Sequence, residues 1–222
     1  MCVERCASGS MYSMPSSPAL KHFKKADKRL YKAALSVKQH LPTTFKHKTN
    51  LELFSALCES IVSQQLSVKA ADTIWQRVKV VCKGHITPVA VLKAKEAMLR
   101  KAGMSFAKIK AIKSVAQEVE NGLKLSSLRR SSPDIASARL IKIHGVGPWT
   151  AEMFLLFGLH HEDIFSKGDL GLVRAIEMIY EIKNPTAKKL DEISAVWMPY
   201  RSYASRVLWK YRDLKIRNTT LD

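Results

Sequence analysis

Glycine and acidic residues are the scarce components of this sequence, with 9 glycines and 19 Asp plus Glu among 222 residues. So little glycine, and no run in which apolar and polar residues alternate, argues against a fold built from β-hairpins. Cysteine is sparse too. The four present, Cys2, Cys6, Cys58 and Cys82, show no zinc spacing and do not form the four-cysteine run that holds an iron–sulfur cluster. Free thiols in a reducing compartment are the expectation. Long apolar runs are missing: the longest, at residues 154–159, falls far short of the ~20 residues a spanning helix needs. The N-terminus lacks the basic-then-apolar order of a secretory signal. Against 19 acidic groups stand 37 Lys plus Arg, a formal net charge of +18. A surplus of this size attracts polyanions, either nucleic acid or an anionic surface.

What the sequence does contain is helical periodicity. Residues 24–41 carry Leu30, Ala34, Val37 and Leu41 at helical spacing. Asn50 is placed to cap a helix with Leu53, Phe54, Leu57, Ile61 and Val62 on one face. Ser67 opens a further helix, Thr87-Pro88 another, and Ser105 one that ends near Gly122. Ser132-Pro133 starts a helix expected to reach Ile143, and an apolar helix follows Gly147 as far as Leu159. Asp169, Thr186 and the Pro199 region open three more. Around ten short helices and no strands predict an all-α fold. Residues 1–18, Ser-rich and mixed, are expected to form a disordered tail, with residues 19–222 a single domain.

The most informative window is residues 140–151. One helix ends at Ile143 or His144, Gly145 and Gly147 flank Val146, and Pro148 heads the next helix. Glycines allow a tight turn and leave N–H groups uncovered. The following helix adds its own amides and the positive end of its dipole. Such a hairpin can hold a DNA phosphate through the backbone alone, which positions DNA without reading its sequence. Its carbonyls, at Ile143 and Val146, can also hold Na+ or K+ bridging to the phosphate. A bare Gly-x-Gly is more often an ordinary turn; the flanking Leu140, Ile143, Trp149, Thr150 and Ala151 raise the phosphate reading above that.

At these residues the chain resembles the helix-hairpin-helix (HhH-GPD) DNA glycosylase superfamily, in its alkylpurine, or 3-methyladenine, branch. Four other segments carry the likeness in the family's order: Ile61-Val62-Ser63-Gln64-Gln65-Leu66-Ser67-Val68-Lys69-Ala70-Ala71, Gly103-Met104-Ser105 with Lys108 and Ile112, Phe165-Ser166-Lys167-Gly168-Asp169-Leu170-Gly171, and Tyr200-Arg201-Ser202-Tyr203-Ala204 with Trp209. The resemblance spans about residues 50–212. It implies a two-lobed helical fold with a central cleft, without a β-domain or an iron–sulfur cluster, the hairpin at about 138–159 and the catalytic segment at about 165–177.

The resemblance also assigns roles. Asp169 is the catalytic aspartate, although Asp before an apolar run is equally a plain helix cap. Trp149, Met153 and Tyr200 line the base pocket; a Trp or Tyr inside an apolar helix otherwise belongs to the core. Gln65 and Leu66 form the wedge that fills the gap left by a flipped nucleotide. Gly145, Val146, Gly147, Thr150, Ser67, Lys69 and Arg201 contact the DNA backbone, with Lys210 a further candidate. Met153 and Ser67 depart from relatives that place an aromatic ring and a histidine there, which bears on activity. Bifunctional members carry a lysine nucleophile where this chain has Trp149, and an indole forms no Schiff base. The implied activity is a monofunctional DNA glycosylase acting on alkylated purines in base excision repair. It needs no cofactor beyond a structural Na+ or K+, works as a monomer on double-stranded DNA away from membranes, and resides in the nucleus or nucleoid. The alternative is a catalytically weak or inactive homologue that binds abasic or distorted DNA.

Overall fold

The computed structural model describes residues 11–14 and 16–219. Twelve α-helices and one two-stranded ribbon are present among them. The chain divides into two compact units. The first comprises residues 1–47 and 161–222, and the second comprises Lys48–His160.

In the first unit, strands β1 (Met11–Ser13) and β2 (Thr44–Lys46) pair antiparallel, Tyr12 opposite Phe45. This ribbon corrects the expectation of no strands. It also takes residues from the expected tail: β1 lies within 1–18, Met14 is buried and α1 begins at Ser16. The remainder of that tail, residues 1–10, lies outside the described residues. The periodic stretch 24–41 is not one helix. It is the end of α1 (Ser16–Ala26), then α2 (Lys28–Val37), then a 3-10 turn over Lys38–His40. Asp27 makes the break, because it accepts from the Leu30 amide as an N-cap. Its other oxygen accepts from Trp197 Nε1 at 2.8 Å and from the Tyr180 hydroxyl. Helices α10 (Leu170–Tyr180), α11 (Ala187–Ala195) and α12 (Arg201–Thr219) complete the unit. Its core joins Phe23, Leu30 and Val37 to Leu172, Ile176, Trp197 and Val207.

The second unit is helical throughout its regular elements: α3 (Asn50–Ser63), α4 (Val68–Val81), α5 (Pro88–Lys93), α6 (Glu96–Lys101), α7 (Phe106–Glu120), α8 (Pro133–Ile141) and α9 (Pro148–Met153). The cap of α3 is Thr49, not Asn50. Thr49 and Glu52 form a reciprocal capping box, which satisfies two backbone amides where Asn50 would satisfy one. The Asn50 side chain instead accepts from the Ser126 amide. Ser67, Thr87, Ser105 and Ser132 cap as their sequence contexts predict. Helix α8 stops at Ile141, two residues early, and α9 passes into a π turn over Phe154–Gly158. Helix α3 packs against both α4 and α7, burying Leu57, Ile61 and Val62. Cys58 and Cys82 are buried free thiols, and burial pushes both upward, so neither is a ready nucleophile.

Candidate functional site

In the second unit, the turn between α8 and α9 uses its two glycines differently. Gly145 has φ +85°, and a Cβ there would sit 2.2 Å from the Ala111 Cβ on α7. Both the left-handed backbone and the close approach therefore demand glycine. Gly147 has ordinary dihedrals and caps α9, and a Cβ there would meet nothing within 4 Å. Its freedom from neighbours leaves the backbone open on that side. Val146 is buried, and its amide donates to the Ile143 carbonyl at 3.0 Å. Pro148 heads α9 and lacks an N–H, while the first turn of any helix directs amides outward without intrahelical acceptors.

Trp149 stands 40% exposed, so it is a surface aromatic and not a core residue. Met153, one turn on, is buried. The Thr150 side chain is also buried, and its hydroxyl accepts from Gln64 Nε2 at 2.8 Å. The segment expected to form the wedge follows α3. Gln65 has φ +55° and is exposed, Leu66 is 37% exposed, and Ser67 is occupied as the cap of α4. Lys69 is exposed on the first turn of α4.

In the first unit, Asp169 caps α10. Its Oδ1 accepts from the Leu172 amide at 2.9 Å and from Trp209 Nε1 at 2.9 Å. The residue is half-buried, not sealed in the interior. The capping role read from the sequence is therefore realised, and the side chain is left half-exposed. A Cβ on Gly171 would lie 1.9 Å from Arg212 Nη1 and 2.9 Å from Asp169 Oδ1, so the glycine makes room for a guanidinium beside the carboxylate. Tyr200 is partly buried, with the His22 ring edge-on at 5.6 Å between centroids. Arg201 forms a two-pronged ion pair with Asp163, Nε to Oδ1 at 2.7 Å and Nη2 to Oδ2 at 2.9 Å. Its guanidinium thus has a structural occupation. Lys210 is half-exposed.

Sequence reasoning gave no role to Gln64, Lys108, Trp209 or Arg212. Trp209 was visible as part of a motif, but its bond to Asp169 spans 40 residues and has no local signal. Among the described residues, no group of three or more His, Cys, Asp or Glu side chains is placed to hold a metal ion. Among them, too, no helix is long and apolar enough to cross a membrane.

A glycine hairpin left open beside Gly147, and a half-exposed aspartate held at a helix head, are features of helical DNA-handling proteins. Residues 58–199 match the family described as HhH-GPD superfamily base excision DNA repair protein, and the chain belongs to that family. Within it, the chain is 31% identical over 169 residues to DNA-3-methyladenine glycosylase 1 of Schizosaccharomyces pombe, covering 73% of this chain and 74% of that one. It is similar to the crystal structure of a Bacillus halodurans DNA-3-methyladenine glycosidase, with a TM-score of 0.76, 33% identity and 94% of each chain covered. It is also similar to the S. pombe 3-methyladenine DNA glycosylase Mag1 in complex with abasic DNA, with a TM-score of 0.73 and 27% identity over 87% of this chain and 96% of that one. The all-α architecture is that of these structures.

Proposed function

We propose that this chain is a monofunctional DNA glycosylase that flips out an N-alkylated purine, of the 3-methyladenine and 7-methylguanine type, and hydrolyses its glycosidic bond to leave an abasic site. The observation that carries the proposal is Asp169, a half-exposed carboxylate oriented by two hydrogen bonds to Oδ1. Alkylation places positive charge on the purine, so the bond to the sugar is already weak. Its cleavage builds oxocarbenium character at C1′. The Asp169 carboxylate stabilises that charge and orients the water that attacks. The departing base needs little acid assistance. Position 149 holds an indole and not an amine, so water is the nucleophile and no Schiff base forms.

The other residues serve delivery. The exposed face of Trp149 stacks on the cationic base, with Met153 one turn behind it, and Tyr200 of the first unit offers a second aromatic face. Gln65 and Leu66 fill the vacated stack. The hairpin backbone at Gly145, Val146 and Gly147 grips a phosphate, and Ser67 and Lys69 at the head of α4 contact the DNA backbone; Arg201 reaches DNA only by sharing its guanidinium with Asp163. Position 150 contributes its amide, because the Thr150 hydroxyl is turned inward to Gln64. The carbonyls of Ile143 and Val146 would hold Na+ or K+ at the same phosphate. Ile143 already accepts one amide, and a carbonyl oxygen has a second lone pair. The chain acts as a monomer, in the nucleus or nucleoid.

The test is base release from methylated duplex DNA by the native chain and by Asp169→Asn. Asparagine caps a helix as well as aspartate and still accepts from Trp209, so the fold is retained. The proposal expects excision by the native chain and a loss of at least about a hundredfold in the variant. Tight binding to abasic DNA with no base release by either protein would show a non-catalytic binder instead.

A further inference from the structure

The wedge loop and the hairpin are separate in sequence but joined in the second unit. Gln64 Nε2 donates to Thr150 Oγ1 at 2.8 Å and to the Gly145 carbonyl at 3.4 Å, so one amide touches both sides of the hairpin turn. Lys108 Nζ donates to the carbonyls of Val62 at 2.7 Å and Gln64 at 2.8 Å. These are carbonyls at the end of α3, where helices leave acceptors unsatisfied and favour a cation. Lys108 lies in the first turn of α7, an end where a helix dipole disfavours positive charge. The contact with the end of α3 offsets that penalty. Burial lowers its pKa, in keeping with an ammonium drawn in from solvent. One turn further along α7, Ala111 carries the close approach of Gly145. The same helix thus supports both elements. Between the two anchors, Gln65 is held at φ +55°, a conformation that costs a non-glycine residue about 1 kcal/mol and persists only where its surroundings impose it.

We propose that Gln64 and Lys108 are positioning residues that lock the wedge loop to the phosphate-gripping hairpin, so that seizing the DNA backbone and filling the emptied stack occur as one event. This rests on the glycosylase reading for the meaning of the wedge, but its test does not require excision. The preference of the native chain for duplex containing a tetrahydrofuran abasic analogue over intact duplex is measured at fixed salt. A 2-aminopurine placed beside the analogue reports wedge insertion. Gln64→Ala and Lys108→Met should each lose about tenfold of that preference, the worth of roughly one hydrogen bond, and the fluorescence change with it. Affinity for intact duplex, set by phosphate contacts, should stay within about twofold. In a double-mutant cycle, Gln64→Ala combined with Thr150→Val should be no worse than Gln64→Ala alone. Native preference in both variants, an equal loss on intact duplex, or additive effects in the cycle would each overturn the coupling. A chain that shows the preference but releases no methylated base would overturn the glycosylase reading alone.

Discussion

At the scale of single residues, Asp169 is a helix cap and, in the proposed reaction, also the charge that faces C1′. The Leu172 amide and the Trp209 indole both converge on Oδ1, which fixes the plane of the carboxylate. Trp209→Phe removes the second donor while keeping most of the ring. Excision should fall by about tenfold and stability by about 1–2 kcal/mol, since a bond to a charged acceptor exceeds a neutral one; single-turnover rates and thermal melts read the two effects separately. Asp27 is the purely structural counterpart, joining Leu30, Trp197 and Tyr180. Burial, and then the bond to Asp27, hold the Tyr180 hydroxyl above its ordinary pKa. The folded state therefore keeps that proton more tightly than the unfolded chain does. The stabilisation is complete below about pH 10 and is lost as pH rises beyond it. Tyr180→Phe should melt lower than the native chain at pH 8, by about 1–2 kcal/mol. The gap should close above about pH 10, and melts across that range check the sign.

At the scale of elements, the hairpin separates two uses of glycine. Gly145→Ala forces a Cβ against Ala111 at a positive φ, and should cost about 2–4 kcal/mol in a denaturant titration. Gly147→Ala meets no neighbour within 4 Å. It should cost no more than about 1 kcal/mol of stability yet weaken DNA binding, because the added methyl group stands where a phosphate approaches. A variant pair with the opposite pattern would show that the hairpin does not meet DNA through Gly147. The element boundaries were legible at Ser67, Thr87, Ser105, Ser132, Asp169 and Thr186, where the side chain caps its own helix. They were misread where a choice depended on competition. Thr49 displaces Asn50 because Glu52 completes its box, and Asp27 interrupts a periodic run because Trp197 and Tyr180 hold it from far along the chain. The ribbon of β1 and β2 was invisible, since three-residue strands are too short to show alternation.

At the scale of the whole molecule, the surplus of 37 basic over 19 acidic groups governs the approach to DNA. Lysines displace condensed counterions from DNA, so affinity should fall by about a hundredfold between 50 and 200 mM salt, as for roughly four neutralised phosphates. A flat response in a salt titration would contradict a phosphate-dominated interface. The same charge disfavours self-association, consistent with a monomer on DNA.

The sequence alone determined the helical class, the basic character and the location of the hairpin and of Asp169, because caps, periodicity and glycine spacing act over a few residues. Only the tertiary structure decided that Trp209 orients Asp169, that Arg201 is taken up by Asp163, and that Gln64 and Lys108 tie the wedge loop to the hairpin. Those pairings join residues 38 to 86 positions apart. Which distant donor meets which acceptor depends on how helices pack, and packing leaves no periodic trace in the chain.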